Sequence, residues 1–264
     1  MAKIYVGIGG WTYAPWRDNF YPRGLKQADE LSFASRHVST IEVNGTFYRT
    51  QSPESFRRWA EEVPKDFVFS IKAHRLTTHR KVLAESAPAV TRFIDSGLAE
   101  LGKKLGPILW QFAPTKKFEP EDFEAFLSCL PPKLDSLKLR HVVEVRHESF
   151  CNEDFVALAR RHKVAICLAL SDKYPLIADP TADFVYARLQ TSQAKEQQGY
   201  PKKELDRWAG YVKQWSGGKA VAELPLLAKP PAAKAKGLDC FLYFIAGAKE
   251  RNPAAAMALM ERLK

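Results

Sequence analysis

The feature that most constrains this sequence is a set of eight short apolar runs spread along its length. Most are almost continuously apolar, which is typical of parallel strands that helices cover on both faces. A strand with one face in water would instead alternate apolar and polar residues. The runs are IYVGI (4–8), STIEV (39–43), FVFSIKA (67–73), PILWQF (107–112), HVVEVR (141–146), VAICLAL (164–170), FVYARL (184–189) and CFLYFI (240–245).

Helix-like segments lie between most of these runs. Ser52 followed by Pro53 is a favourable helix start, and apolar residues recur after it at helical spacing. Strands that alternate with helices imply β/α units and a parallel sheet. Eight such units in about 250 residues predict a TIM-type (β/α)8 barrel, with residues 1–264 as a single domain. The other apolar stripes cover 90–105, 120–130, 152–159, 205–215 and 252–263.

Two segments depart from a regular barrel. The link after the sixth run, SDKYPLIADPTAD (171–183), contains too much proline for a full helix, so we predict an irregular connection. KAVAELPLL (219–227) could be a ninth strand, but we interpret it as part of an insertion at 216–237, before the eighth strand. A doubly wound open sheet is the alternative fold. It is less favoured because GIGGWTY (7–13) leads into tryptophan and proline rather than into a dinucleotide-binding helix.

Composition narrows the class of protein and its partners. The net charge of +10 favours acidic partners such as nucleic acid or phosphorylated metabolites, although a lysine-rich solvated surface would give the same balance. No apolar stretch is long enough for a signal peptide or a membrane helix, so we predict a cytoplasmic protein with no membrane partner. The four cysteines are scattered and form no CxxC pair, which indicates reduced thiols.

Polar side chains gather at the carboxyl ends of the predicted strands. In a (β/α)8 barrel these ends open onto one face, where active sites lie. Residues two apart on a strand share a face, so Glu42 and Asn44 point the same way, as do Glu144 and Arg146. The polar groups should therefore meet in the mouth of the barrel.

Acid–base groups in this set indicate catalysis. The two glutamates could act as general base and general acid if unequal neighbours separate their pKa values. A histidine in the loops could move a proton near neutral pH. The predicted catalytic residues are Glu42, Lys72, His79, Glu144 and His147.

The remaining members of the set suit the binding of an anion. Three fixed positive charges, on Lys72, Arg146 and Arg188, fit a phosphate, a carboxylate or a developing oxyanion. Aromatic rings near the mouth could stack on a planar group or a sugar. The predicted substrate-binding residues are Trp11, Asn44, Tyr48, Gln111, Arg146 and Arg188.

Two other interpretations of the same residues stay open. Glu42 and Glu144 could be neutralised by Lys72 and the two arginines in a buried ion-pair network without chemistry. Lys72 could form a Schiff base, but such a lysine needs a desolvated pocket. Three nearby cations and two carboxylates do not obviously provide that pocket.

A divalent metal is conceivable but not favoured. Glu42, Glu144, His79 and His147 could supply ligands, yet barrels that bind a metal usually carry more carboxylates and histidines than this sequence offers. The sequence also has no P-loop, no G-x-S-x-G elbow and no HExxH motif. The sequence therefore leaves the cofactor unknown.

Five stretches of the sequence resemble successive motifs of the YecE-like family, catalogued as domain of unknown function 72. The resemblance implies a TIM-type barrel and brings no settled reaction, substrate or cofactor. The stretches are VGIGGWTYAPWRDNFYP, TIEVNGTFYR, FVFSIKAHRLTTH, GPILWQFAP and VVEVRHESF. The family's motifs correspond here to Glu42, Asn44, Tyr48, Lys72, His79, Gln111, Glu144, Arg146, His147 and Arg188.

The end of the eighth run departs from the family pattern. Many members carry paired asparagines and an aspartate there, whereas this chain reads YFIAGAKERNPAAAMAL. Ile245 and Ala246 replace polar side chains, and Lys249 and Arg251 follow. We therefore expect no ligand contact from this strand, or one replaced by added positive charge.

The sequence as a whole predicts an enzyme of hydrolase or lyase type. Its substrate would be small and phosphate-bearing or otherwise anionic, bound at the C-terminal face of the barrel. The alternatives are a nucleic-acid-binding barrel, including one that processes DNA or RNA, and a non-catalytic small-molecule binder. The sequence predicts no oligomeric state.

Overall fold

The computed structural model describes residues 2–230 and 236–264 and has a closed barrel of eight parallel strands. Each of the eight apolar runs forms one barrel strand, with bounds that differ by no more than a few residues. The TIM-type fold predicted from the sequence is thereby confirmed. The barrel strands are β1 (Ile4–Gly9), β2 (Thr40–Val43), β3 (Val68–Lys72), β4 (Leu105–Gln111), β7 (His141–Glu144), β8 (Ala165–Leu170), β9 (Phe184–Leu189) and β10 (Asp239–Phe244).

The barrel closes by pairing its first strand with its last. Around the barrel the order is β1, β2, β3, β4, β7, β8, β9, β10, and β10 returns to β1. The register aligns Gln111 with Glu144 across β4 and β7. Polar strand ends therefore lie at a similar height. Two short strands outside the barrel, β5 (Lys133–Leu134) and β6 (Leu137–Lys138), form a hairpin that the sequence patterns did not predict.

Helices cover the outside of the barrel and begin largely where the sequence patterns place them. The Ser52 hydroxyl accepts a hydrogen bond from the backbone N–H of Ser55 at 3.3 Å, and the Asn152 side chain caps Phe155 at 2.9 Å. The link after β8 contains no helix, as predicted. The helices are α1 (Glu30–Ala34), α2 (Pro53–Glu62), α3 (Ala87–Ile94), α4 (Pro120–Ser128), α5 (Glu153–Arg161), α6 (Lys202–Ser216) and α7 (Asn252–Leu263). Short 3-10 turns occupy Ala14–Trp16, Gln27–Asp29, Gly45–Phe47, Arg75–Thr77, Leu83–Ser86, Leu98–Lys104, Glu148–Phe150 and Lys249–Arg251.

The predicted helix over 90–105 is interrupted in the structure. The α-helix ends at Ile94, and a 3-10 segment follows from Leu98 to Lys104. Gly97 has a φ of +115°, a conformation that residues with a side chain rarely adopt. The apolar spacing continues through this break, which is why the periodicity alone predicted one helix.

Gly97→Ala should therefore destabilise the fold by about 1–3 kcal/mol, because a Cβ there would lie 2.7 Å from the Cα of Pro53 as well as at an unfavourable φ. Gly210→Ala is the matched control, since Gly210 lies inside α6 and its Cβ would meet nothing within 4 Å. That substitution should stabilise the protein by about 0.5–1 kcal/mol. Urea denaturation measures the change in the free energy of unfolding for each variant. Equal changes in the two variants would contradict this explanation of the break.

The insertion before β10 packs on the link after β8. Asp179, which is 3% exposed, accepts hydrogen bonds from the backbone N–H groups of Leu227 and Ala228 at 2.8 and 3.0 Å. Residues 219–227 form no strand, so the interpretation as an insertion holds for the part of 216–237 that is described. Residues 231–235 lie outside the described residues.

Aromatic rings fill the barrel below its mouth. Tyr5 and Phe241 stack with ring centroids 4.8 Å apart, and Tyr186 lies 4.9 Å from Tyr243. These side chains leave the barrel with a packed interior rather than a channel. Nothing among the described helices is both long enough and apolar enough to cross a membrane.

Candidate functional site

Five of the predicted site residues meet in one polar layer above the aromatic interior. They come from five different strands, and each lies at or next to the carboxyl end of its strand. All of them are at most 7% exposed. The layer consists of Glu42, Lys72, Gln111, Glu144 and Arg188.

Arg188 lies between the two glutamates and binds both. Its Nε and Nη2 donate to Oε2 and Oε1 of Glu42 at 3.1 and 3.0 Å, which is a bidentate pair. Its Nη1 donates to Oε2 of Glu144. One guanidinium therefore joins strands on opposite sides of the barrel.

The remaining acceptor sites of the two carboxylates are also used. Tyr186 donates its hydroxyl hydrogen to Oε2 of Glu42 at 2.6 Å. Oε1 of Glu144 accepts from the Gln111 amide at 3.0 Å and from Arg146 at 2.7 Å. All four carboxylate oxygens therefore carry at least one hydrogen bond.

The charges of this layer stabilise one another. Burial by itself would raise the pKa of Glu144, but Arg188 and Arg146 outweigh it and lower the pKa to about 2. Burial opposes the charge of Arg188, yet Glu144 and Glu42 hold the pKa of its guanidinium well above the usual range. Glu144 is therefore an ionised, weakly basic carboxylate at neutral pH.

Lys72 is the exception in the layer. The Thr46 hydroxyl donates to its backbone carbonyl at 2.6 Å, which fixes the end of β3. Its Nζ lies 4.0 Å from the centre of the Phe47 ring and makes no hydrogen bond or ion pair with any described residue. Burial, reinforced by the charge of Arg188, lowers the pKa of Lys72 to about 8.

The loops after β2 and β3 form an outer rim beside Lys72. The exposed His79 ring lies edge-on to Phe47 with centroids 5.3 Å apart. Burial first, and then the charges of Lys72 and Arg146, lower the pKa of His79. Tyr48 is 70% exposed and adjoins Phe47. His79 also lines an open groove of about 610 Å³ between the loops after β3 and β4.

Two tyrosines complete the site and were missed from the sequence. Tyr186 lies two residues before Arg188 on β9, so the same alternation that selected Arg188 could have found it. Tyr174 lies in the irregular link after β8. Its ring centre is 4.2 Å from the guanidinium carbon of Arg146, and its hydroxyl accepts from Arg146 at 3.3 Å. No periodic pattern predicts the position of such a loop residue.

Besides Arg146 and the rim residues Tyr48 and His79, three further predicted residues lie outside the polar layer. Trp11 packs edge-on against Trp59 of the helix-facing core, with centroids 5.1 Å apart. The Asn44 amide donates to the backbone carbonyl of Glu42 at 3.3 Å. The Nδ1 of His147 accepts from the backbone N–H of Ser149 at 3.1 Å and caps a 3-10 turn. Their substrate and catalytic roles stay predictions.

The residue after β10, Ile245, has an apolar side chain where a polar one would be expected at the barrel mouth. A Cβ on Gly9 would lie 3.1 Å from the Ile245 side chain, so Ile245 borders the end of β1. Gln190, one residue beyond β9, has a buried Nε2 without a hydrogen-bond partner in the described part of the chain. Within residues 2–230 and 236–264, no group of three or more His, Cys, Asp or Glu is arranged to hold a metal ion.

Comparison with known proteins places the whole barrel in one family. The family model described as "Protein of unknown function DUF72" matches residues 5–264. The UPF0759 protein YecE of Escherichia coli K12 is 29% identical over 150 residues, which is 56% of this chain and 50% of YecE. The chain thus matches about half the length of this curated relative.

Solved structures support the fold independently. A DUF72 family protein of Thermotoga maritima superposes with a TM-score of 0.71 at 23% identity, covering 98% of this chain and 97% of that one. A xylose isomerase-like TIM barrel/4-hydroxyphenylpyruvate dioxygenase fusion protein gives a TM-score of 0.55 at 15% identity. That match covers 99% of this chain and 44% of the fusion protein. At these identities the likeness concerns the fold alone.

Proposed function

The chain belongs to the DUF72 family, and we propose that it is an enzyme acting on a small anionic substrate bound at the C-terminal mouth of its barrel. The observation that carries this proposal is the unpaired ammonium of Lys72. Two carboxylates and two guanidiniums of the site pair with one another, whereas Lys72 makes no ion pair with the described residues and feels Glu42 and Glu144 only at longer range. A buried charge without a partner is costly, so an anionic ligand would complete the site.

The groups nearest to Lys72 suit an anion as well. The Arg146 side chain is 17% exposed, so it still reaches solvent while it binds Glu144. A phosphate or carboxylate between Arg146 and Lys72 would receive charge-assisted hydrogen bonds from both. The rim adds further positive charge through Arg75, Arg80 and Lys81.

The proposed division of labour separates positioning from proton transfer. Glu42 and Glu144 hold Arg188, because all their oxygens are engaged and the pKa of Glu144 is too low for a general base. Lys72 and His79 then transfer protons. Burial and neighbouring cations lower the pKa of Lys72 to about 8, and they also lower the pKa of His79. This assignment suits a hydrolase or a lyase.

Sulfate binding tests the anion site. Sulfate does not titrate near neutral pH, so its affinity should follow the charge of Lys72 and fall roughly tenfold or more between about pH 7 and about pH 9.5. Isothermal titration calorimetry at constant ionic strength measures this change. Lys65→Met is the control, because Lys65 is exposed at the opposite end of β3 and should bind sulfate as the wild type does. Absence of binding, or binding unaffected by this pH change, would contradict the proposal.

A second candidate function rests on Tyr48. An exposed aromatic ring next to Arg49 in the chain is typical of single-stranded nucleic acid binding. In the same calorimeter, a short single-stranded DNA should then bind with an affinity that falls linearly with salt on logarithmic axes. Tyr48→Ala should weaken that binding and leave sulfate binding unchanged. DNA binding without a sulfate site would favour this second function.

A further inference from the structure

The amine of Lys72 differs from that of Lys104, a part-buried lysine beside a strand. Lys104, before β4, donates to the backbone carbonyls of Ala60 and Val63. Lys72 Nζ makes neither a hydrogen bond nor an ion pair with the described residues, and it lies over the face of the Phe47 ring. Once this amine loses a proton, its lone pair has no competing partner.

Its surroundings also favour the neutral form. Burial is the main cause of the lowered pKa of Lys72, and the charge of Arg188 adds to it. With a pKa of about 8, on the order of a tenth of the side chains would be unprotonated at neutral pH, against well under a hundredth for an ordinary lysine. Desolvated lysines beside another cation are the ones that attack carbonyl groups.

From this geometry, and resting on the anion site proposed above, we propose that Lys72 forms an imine with an aldehyde or ketone that carries a phosphate or carboxylate group. Arg146 would hold the anionic group, because its side chain, at 17%, is the most exposed one in the ion-pair network. Gln190 offers an unpartnered amide donor at the end of β9. The substrate class is thus a small anionic carbonyl compound.

The step balances without any further reactant. The Lys72 ammonium first gives one proton to a neighbouring base. The neutral amine then adds to the carbonyl carbon, a C–N bond forms, and a second proton moves from nitrogen to oxygen to give a carbinolamine. Protonation of its hydroxyl group lets the C–O bond break, and water leaves. In the net reaction, a carbonyl compound and the lysine ammonium give a protonated imine and one water molecule.

His79 is placed to carry the proton in this step. Its ring contacts Phe47, whose face also contacts Lys72, and its lowered pKa leaves the imidazole largely neutral at pH 7. A neutral imidazole can take the proton that the Lys72 ammonium releases and later give it to the hydroxyl group that leaves as water. Phe47 keeps water away from one side of the amine.

Reductive trapping with two probes tests the proposal. Glyoxylate with cyanoborohydride and pyridoxal 5′-phosphate with borohydride should each modify Lys72 at about one equivalent per chain, before any surface lysine reacts. Tryptic peptide mapping by mass spectrometry identifies the modified residue. The rate should rise with pH and level off above about pH 8, following the deprotonation of Lys72. Sulfate should compete with both probes.

Two variants separate this proposal from the anion site itself. Lys72→Arg keeps a positive charge that does not titrate in this range, so its sulfate affinity should no longer fall between about pH 7 and about pH 9.5, and it should lose the selective modification. His79→Gln should slow trapping several-fold without moving the modified position. Sulfate binding with modification scattered over surface lysines would overturn the imine and leave the anion site standing. Loss of both sulfate binding and selective trapping in the wild type would overturn both proposals.

Discussion

Arg188→Met should lower the free energy of unfolding at pH 7 by about 3–5 kcal/mol, the largest stability change expected for this protein. The arginine makes three hydrogen bonds to two carboxylates that are 0% exposed. Removing it leaves Glu42 and Glu144 buried with too few positive partners. Methionine occupies a similar length but offers no charge, so the loss reports the unpaired carboxylates rather than a cavity. Guanidinium chloride denaturation measures it.

The pH dependence gives this prediction a second check. In the wild type, the pKa of Glu144 is about 2 in the folded protein against 4.5 in the unfolded chain, so its contribution is full above 4.5 and lost as pH falls toward 2. Without Arg188, the largest cause that lowers the pKa of Glu144 is gone, and burial should raise the folded pKa of this carboxyl. The variant should then lose stability as pH rises above about 4.5, and the gap to the wild type should narrow on acidification.

A triple variant serves as the control for Arg188→Met. Adding Glu42→Gln and Glu144→Gln removes the two charges that the arginine neutralises, so part of the lost stability should return. Recovery would show that unpaired charge is the cause. A gap that is independent of pH and is not reduced by the two glutamines would mean that Arg188 acts through packing instead.

The inner layer of the site was predictable because it depends on strand alternation alone. Glu42, Lys72 and Arg188 each follow an apolar stretch, and a period of two assigns each of them to the inside of the barrel. The closed parallel topology then brings their ends to one face. Assigning these side chains to the barrel mouth needs only the local sequence and the number of strands, so the sequence alone predicts it.

The pairing inside that layer was not predictable, because it depends on distances across the closed barrel. From the sequence alone, any of three cations could pair with the two glutamates. In the structure, Arg188 binds both of them. Lys72 is left without a partner among the described residues, although it is as close to a strand end as the others. Loop positions such as Tyr174, and the break at Gly97, depend on tertiary contacts and on single backbone angles that periodicity does not encode.

Lys72→Met should stabilise the protein by about 1–3 kcal/mol at pH 7 while abolishing sulfate binding. The folded protein holds the pKa of Lys72 at about 8, against 10.5 in the unfolded chain, so keeping this amine charged in the fold costs stability at neutral pH. Methionine keeps most of the aliphatic stem that contacts Phe47. Urea denaturation and calorimetry measure the two effects on the same samples.

The sign of the pH dependence distinguishes this explanation from better packing by methionine. Between about pH 8 and 10.5 the unfolded wild-type chain binds more protons at Lys72 than the folded protein, so wild-type stability should rise with pH in that window. Lys72→Met lacks the group, and its advantage should shrink toward zero above about pH 10.5. An advantage that stays constant with pH would attribute the gain to packing. A destabilised variant would mean that the ammonium helps to hold the glutamates, and Lys72 would then belong to the ion-pair network rather than to the chemistry of the site.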